Sequence, residues 1–116
     1  MTGPGGRGGA AEAAAAAFLC SRGLSLLQSN YRCRRGEIDL VLREGPTIVF
    51  VEVRLRTNKA YGNAAESIVA RKRARILAAA RHYLAGKPEA PCRFDVVLFD
   101  RLDPPRMEWI RDAFSA

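Results

Sequence analysis

The feature that most constrains this fold is a pair of apolar runs separated by a short break at a Gly-Pro dipeptide. Residues 36–42 read GEIDLVL and residues 48–56 read IVFVEVRLR. Two such runs around a Gly-Pro break predict a β-hairpin, and runs this apolar are typical of strands buried on both faces. Asp39, Glu52 and Arg54 nevertheless interrupt them. Because a charge in a core strand is costly unless it is paired or binds a metal, these residues predict an ion-pair or metal site.

Side-chain alternation along the strands predicts the register of this hairpin. If Arg43 and Ile48 close a four-residue loop, the apolar face of Ile38, Leu40 and Leu42 coincides with the apolar face of the second strand, and Asp39 lies directly across from Glu52. The other pairs predicted by this register are Ile38–Val53, Leu40–Val51, Leu42–Val49, Val41–Phe50 and Glu37–Arg54. Facing carboxylates repel unless a proton or a cation lies between them, and Mg²⁺ and Mn²⁺ favour such oxygen ligands. A divalent-metal site is one interpretation; the alternative is that each carboxylate pairs with a neighbouring arginine.

Composition, turn residues and hydrophobic spacing predict the remaining elements. They are a disordered tail at residues 1–9, a helix at 10–22, a strand at 24–31, a loop at 57–63, a helix at 64–84, a strand at 93–100 and a short last strand at 107–110. With the hairpin, the order is α-β-β-β-α-β and a further short strand. No internal repeat or second domain is visible, so one domain is expected over residues 10–116.

Two further charged residues are singled out by their positions on the predicted helices. Lys72 lies four residues from both Ile68 and Ile76, on the apolar stripe of the second helix. A lysine there needs a partner, and the acidic pair of the hairpin is the obvious one; alternatively, the side chain extends to the edge of the stripe. Glu12 lies in the first turn of the first helix, where a carboxylate favours the helix dipole or has a functional role.

Charge and cysteine usage narrow the class of protein. The net charge of +7 favours a polyanion such as nucleic acid, or an anionic membrane surface. No apolar stretch approaches the roughly 20 residues of a transmembrane helix. The run at residues 10–20 is interrupted by Glu12, and its end, AFLC, lacks the small residues of a signal-peptide cleavage site. The three cysteines are odd in number and form no CxxC pair, so reduced cysteines and a cytoplasmic location are expected.

Segments along most of the chain resemble the YraN family of uncharacterised bacterial proteins. The resemblance is carried by NYR at 30–32, GEIDL at 36–40, FVEVRLR at 50–56, YG at 61–62, Lys72 and RFDVV at 93–97. It implies a restriction-endonuclease-like fold of the PD-(D/E)xK superfamily, similar to archaeal Holliday junction resolvases and the RecB nuclease domain. The α/β core of that superfamily is α-β-β-β-α-β, with a mixed sheet flanked by helices, which matches the order predicted above.

The resemblance also implies a metal-dependent nuclease site. Asp39 corresponds to the acidic residue of the second strand, Glu52 to the Glu of the E-x-K motif, and Glu12 to an acid on the first helix. These three would bind Mg²⁺ or Mn²⁺. Where the motif has Lys this chain has Arg54, which does not give up its proton. Lys72 then takes over the role of the lysine, or the metal alone activates water, or activity is weak or lost.

The resemblance and the charge together predict hydrolysis of phosphodiester bonds in DNA, with branched or damaged structures as candidate substrates. The alternative is a non-catalytic nucleic-acid-binding module that kept the nuclease fold. The residues expected to contact the nucleic-acid backbone are Arg32, Arg34, Arg35, Arg56 and Lys59. Resolvase relatives act as dimers, so a homodimer is compatible with the resemblance, although no dimer face is evident from the residues.

Overall fold

The computed structural model describes residues 6–56 and 70–115, with side chains described from residue 9. Its elements are α1 Gly6–Ser21, β1 Ser25–Cys33, β2 Gly36–Glu44, β3 Thr47–Leu55, α2 Ala70–Leu84, β4 Cys92–Leu102 and β5 Pro105–Phe114. The predicted loop at 57–63 and the start of the second predicted helix, at 64–69, lie outside the described residues, as do residues 1–5 of the predicted tail.

The five strands form one sheet in the order β1-β2-β3-β4-β5. Strands β3 and β4 are parallel, and every other neighbouring pair is antiparallel. Parallel neighbours need a long crossover connection, and the segment that contains α2 provides it. The structure therefore confirms an α/β fold with a mixed sheet, and its element order is consistent with a restriction-endonuclease-like core.

The two helices cover opposite faces of this sheet. On one face Ala11, Ala15 and Leu19 of α1, spaced four residues apart, pack on strand residues that include Leu40 and Val51, and this group is called the α1 cluster below. The opposite face carries the α2 cluster, whose buried members are Ile38, Val41, Ile48, Phe50, Ile76, Ala79, Ala80, Phe94, Val96 and Leu98. The buried positions of α2 belong to the apolar stripe predicted from the sequence. Burial of both faces explains why β2, β3 and β4 are almost continuously apolar.

The two edge strands differ in character. The first half of β1, SLLQS, is exposed and uncharged, and it contains Leu26 and Leu27, which are 42% and 41% exposed. Pairing with β2 shifts between Leu26 and Gln28, which leaves Leu27 as an extra residue in the strand. The opposite edge strand, β5, reads PRMEWIRDAF and carries two arginines in addition to a glutamate and an aspartate.

Several element boundaries differ from those predicted. Helix α1 begins at Gly6, four residues before its predicted start. The hairpin turn is tighter than the predicted four-residue loop, because Glu44 pairs with Thr47 and Gly45 adopts a left-handed conformation (φ 59°). Strand β5 spans ten residues, well beyond the predicted 107–110, because it pairs with β4 nearly from end to end.

Two further expectations concern membrane insertion and cysteine state. No helix within the described ranges is long and apolar enough to cross a membrane. Cys20, Cys33 and Cys92 are all free thiols, as expected from their spacing.

Candidate functional site

The hairpin of β2 and β3 has the predicted register, but its pairing stops at the predicted acidic pair. Leu42 pairs with Val49, Val41 with Phe50 and Leu40 with Val51, and the ladder ends there. The next residues along the two strands are Asp39 and Glu52. The two carboxylates therefore lie at the point where the strands separate, at the level where the register predicted them to meet.

The side chain of Asp39 replaces the next hydrogen bond of the ladder. Its Oδ2 accepts a hydrogen bond from the backbone N–H of Val53 at 2.8 Å. Because the carboxylate fills the place of a backbone acceptor, the predicted pairs Ile38–Val53 and Glu37–Arg54 do not form, and those predictions were wrong. The opening leaves the Asp39 carboxylate in the gap between two strands.

Side-chain alternation on β2 is broken at Asp39. Leu40 packs in the α1 cluster, whereas Ile38 packs in the α2 cluster on the opposite face of the sheet. Residues two positions apart on a regular strand share a face, so the alternation reverses between them. The predicted common face of Ile38, Leu40 and Leu42 is therefore wrong for Ile38. The reversal directs Asp39 toward β3.

Three elements, α1, β2 and β3, bring the carboxylates of Glu12, Asp39 and Glu52 close together. Glu12 on α1 has a pKa raised to about 7, first by burial and then by the neighbouring charge of Asp39. Burial and the same Asp39 charge raise the pKa of Glu52 on β3 to about 7. Asp39 is thus the shared neighbour of Glu12 and Glu52, and these three residues are called the acidic pocket below.

Lys72 of α2 brings a positive charge into direct contact with this pocket. Its Nζ lies 3.2 Å from Oε2 of Glu52, and the exposed fractions of the two side chains are 35% and 6%. This is the partner predicted from the position of Lys72 on the apolar stripe. The charge of Lys72 lowers the pKa of Glu52. Burial and the charge of Asp39 raise this pKa by more than Lys72 lowers it, so it stays above its ordinary value.

Arg54, at the motif lysine position, lies two residues beyond Glu52 on β3. Residues at this spacing share a strand face, so Arg54 lies on the α2 side of the sheet, as Glu52 does. Its side chain is half-buried, and within the part of the chain that the structure describes it has no hydrogen-bond or ion-pair partner. A guanidinium of this kind is available to an anionic ligand.

The donor atoms of the acidic pocket fit a hard divalent cation that retains part of its hydration shell. Within residues 9–56 and 70–115, no three His, Cys, Asp or Glu side chains are grouped closely enough to enclose an ion. Mg²⁺, however, is commonly held by one or two carboxylates, with waters and substrate phosphates completing its octahedron. Asp39 and Glu52 provide such a pair, and the Lys72 ammonium now neutralises one of them.

The basic residues predicted to contact nucleic acid occupy different environments. Arg34 and Arg35 are exposed in the turn between β1 and β2. Arg32 is exposed just before that turn, and its charge lowers the pKa of Glu12. Arg56 is paired internally, with Nε 3.2 Å from Asp100 and Nη2 3.4 Å from Glu108. Lys59 lies outside the described residues.

Sequence reasoning missed Asp95, which is 0% exposed in the middle of β4. Its carboxylate accepts hydrogen bonds from Nε of Arg93 (3.0 Å), Nε1 of Trp109 (2.9 Å) and the backbone N–H of Asp112 (2.8 Å). Arg93 also forms a 2.7 Å ion pair with Glu44. The signal was present, because Asp95 interrupts the apolar run RFDVVLFD as Asp39 and Glu52 interrupt theirs. These hydrogen bonds tie β4 to β5, so we assign Asp95 a structural role.

The raised pKa values predict that, without metal, the fold loses stability as the pH rises from about 4.5 to about 7. Both Glu12 and Glu52 have an ordinary pKa of 4.5 and a folded pKa of about 7, so the folded state binds more protons across that interval. Glu52→Gln should therefore gain about 1–3 kcal/mol relative to wild type at pH 8 and little at pH 5. Urea unfolding in the presence of a chelator measures this.

Glu89→Gln is the control for this comparison, because Glu89 is an exposed glutamate. It should keep the pH dependence of the wild type. Glu44, whose pKa is lowered mainly by its hydrogen bond to Arg93, acts in the opposite direction, but only below its ordinary pKa of 4.5. An unchanged pH slope in Glu52→Gln would contradict the electrostatic description of the pocket.

Comparison of the chain with known proteins shows which family it is similar to. The model of a family described as "Uncharacterised protein family UPF0102" matches residues 11–99, from α1 into β4. A UPF0102 protein of Nitrosomonas europaea is 53% identical, with 99% of this chain and 98% of that protein covered. One from Methylobacillus flagellatus is 52% identical, with coverages of 91% and 94%. One from Pseudomonas paraeruginosa is 50% identical, with coverages of 95% and 93%.

Proposed function

The chain belongs to the uncharacterised protein family UPF0102, the YraN family of the sequence resemblance, and from that premise we propose that it is a metal-dependent nuclease. The reaction is the hydrolysis of phosphodiester bonds in DNA. The observation that supports it most directly is made where β2 and β3 separate: there Asp39 adjoins both Glu12 and Glu52. A carboxylate cluster that keeps like charges together in a partly buried place favours a cation as its natural ligand.

In this proposal Asp39 and Glu52 hold one Mg²⁺ or Mn²⁺ ion. Such an ion supplies Lewis-acid activation of water and offsets the negative charge that develops on the phosphate. Asp39 is held in place by the N–H of Val53, so its position is set by the backbone of the neighbouring strand. Glu12, coupled to Asp39 and with a pKa of about 7, is poised to accept or release a proton near neutral pH.

The cations of the site have distinct roles in this scheme. Lys72 pairs with Glu52, and its partly exposed ammonium would be available to a phosphate oxygen if the site held an ion. Arg54 holds the scissile phosphate, because a guanidinium donates hydrogen bonds but does not act as a base. Arg32, whose charge acts on Glu12, and the exposed Arg34 and Arg35 of the β1–β2 turn supply contacts to the nucleic-acid backbone.

A non-catalytic nucleic-acid-binding module is the second candidate, and Arg54 is the observation that favours it. The half-buried guanidinium has no partner among the described residues, which suits phosphate binding without any proton transfer. The two candidates differ in one property: the nuclease must bind a divalent ion at Asp39 and Glu52, whereas the binding module needs none.

Cleavage assays with Mg²⁺ or Mn²⁺ separate the two candidates. The substrates are supercoiled, single-stranded and four-way-junction DNA. We expect the wild type to cut at least one of them, and Asp39→Asn and Glu52→Gln to lower the rate by about 100-fold or more, because each removes a carboxylate of the ion site. Glu89→Gln removes an exposed carboxylate outside the pocket and should cut at the wild-type rate.

Binding measured in parallel completes the assay. Binding that weakens with salt, without cleavage and without Mn²⁺ affinity, would overturn the nuclease and favour the binding module. If the wild type cuts DNA and Asp39→Asn cuts it at the same rate, the proposed site is overturned as well.

A further inference from the structure

We propose that Asn30 is a positioning residue of the acidic pocket, because its left-handed backbone conformation reverses the side-chain alternation of β1 and β2 at the level of Asp39. The proposal rests on the function proposed above and adds to it a residue that touches none of the reacting groups. Asn30 belongs to the NYR segment at residues 30–32, and Arg32 is the one residue of this segment that has a role in the proposed nuclease.

Asn30 has a φ of 55° in the interior of strand β1. Asparagine tolerates this left-handed region far better than most residues, whereas β-branched side chains are strongly disfavoured there. The flanking ladder pairs are Ser29–Leu40 and Tyr31–Ile38, so Asn30 lies at the level of Asp39. The residue with the unusual backbone is thus the neighbour, across the strand pair, of the central carboxylate.

The reversal of side-chain alternation is observed in β2, where Ile38 packs in the α2 cluster and Leu40, two residues on, packs in the α1 cluster. It extends to β1 through the ladder, because Tyr31 packs in the α2 cluster and pairs with Ile38, whereas Ser29 pairs with Leu40. The ladder between β1 and β2 keeps one register on both sides of Asn30 and Asp39. If β1 kept regular side-chain alternation here, β2 would therefore keep it too. With regular strands Asp39 would not be turned toward the N–H of Val53.

A second place in the sheet shows the same association. Among the described residues, Asp112 is the other non-glycine with positive φ, at 54°. It lies where the β4–β5 register shifts, and its N–H binds the buried carboxylate of Asp95. In both places a left-handed residue accompanies a carboxylate that enters the sheet in place of a regular backbone hydrogen bond.

The side chain of Asn30 adds a second link to the pocket. Its Oδ1 accepts a hydrogen bond from Nε of Arg32 at 3.3 Å. The charge of Arg32 in turn lowers the pKa of Glu12. Asn30 therefore holds a cation beside Glu12 while its backbone sets the direction of Asp39.

The test is Mn²⁺ affinity measured by calorimetry on folded protein, with folding checked by circular dichroism. Asn30→Gly keeps access to positive φ and should bind within about 3-fold of wild type, apart from the loss of the Arg32 contact. Asn30→Val cannot adopt this conformation readily and should bind about 10-fold or more weakly. Ser29→Val places the same side chain at the neighbouring exposed position and should leave the affinity unchanged.

Each outcome decides between the proposals. Wild-type affinity in Asn30→Val overturns the positioning role, and so does an equal loss in Asn30→Gly and Asn30→Val. If Asn30→Val does not fold, Asn30→Ala replaces it, and an affinity equal to that of Asn30→Gly overturns the role. Absence of Mn²⁺ binding by the wild type overturns the proposed nuclease itself, and the positioning role with it.

Discussion

Gly36→Ala should destabilise the protein by about 3 kcal/mol or more, because the new methyl group has no space. A Cβ built on Gly36 would lie 2.0 Å from the carbonyl oxygen of Arg75, which is backbone of α2. Neither group can avoid the contact by rotating, so β2 and α2 must separate. Gly36 opens the strand that carries Asp39, and α2 carries Lys72, so the shift should also disturb the acidic pocket. Thermal or urea unfolding measures the loss.

Gly45→Ala is the matched control, since it separates steric clash from backbone conformation. A Cβ at Gly45 meets no atom within 4 Å, but its φ of 59° lies in the left-handed region. This substitution should cost only about 1–2 kcal/mol of unfolding free energy. A Gly36→Ala variant as stable as Gly45→Ala would show that α2 does not pack against β2 as closely as the structure indicates.

Asp95→Ala should lower the unfolding free energy by about 3–5 kcal/mol. The substitution leaves the guanidinium of Arg93, the indole N–H of Trp109 and the backbone N–H of Asp112 without their common acceptor. Arg93 is only 17% exposed, so solvent compensates it poorly. Each unsatisfied donor adds a desolvation penalty, which explains why the expected loss exceeds that of one ordinary hydrogen bond.

Asp95→Asn tests the origin of this effect, because it keeps one acceptor oxygen and removes the charge. Its loss should be smaller than that of Asp95→Ala yet clearly measurable. Glu89→Ala, at an exposed position, should change stability by less than about 0.5 kcal/mol. A loss below about 1 kcal/mol in Asp95→Ala would contradict the role of Asp95 as the shared acceptor of β4 and β5.

Sequence reasoning succeeded where regular periodicity governs the structure. Strand alternation predicted the pairing of Leu40 with Val51 and Leu42 with Val49, and helical spacing predicted that Lys72 meets an acid. These predictions hold because buried faces force the period of each element to match its environment. The mixed sheet followed from the resemblance, which the family match later supported.

The same assumption of regular periodicity explains the errors at the site. Alternation placed Ile38 on the face of Leu40, and it could not anticipate that the strand reverses at Asp39. The predicted Glu37–Arg54 pair failed for the same reason. A single left-handed asparagine carries little signal in sequence, because asparagine also occurs in ordinary strands and turns.

Two further features depend on contacts between distant segments. Strand β5 alternates charged and apolar residues only from Arg106 to Trp109, and its full length depends on pairing with β4 and on the acceptor Asp95. Arg56 was predicted to contact nucleic acid, and this stays a prediction. Its ion pairs with Asp100 and Glu108 arise because β4 pairs with β3 and β5 pairs with β4. Nothing local to Arg56 indicates those partners.

The contrast between the two edge strands has a consequence for the behaviour of the protein at high concentration. The exposed Leu26 and Leu27 lie on an uncharged edge, whereas the charged β5 edge discourages contact with another strand. The net charge of +7 keeps copies apart at low ionic strength. Because the Debye length shrinks from about 30 Å at 0.01 M salt to about 3 Å at 1 M, this colloidal protection weakens as salt is added. Concentrated stocks are therefore best kept at the lower ionic strengths, where long-range repulsion shields the open β1 edge.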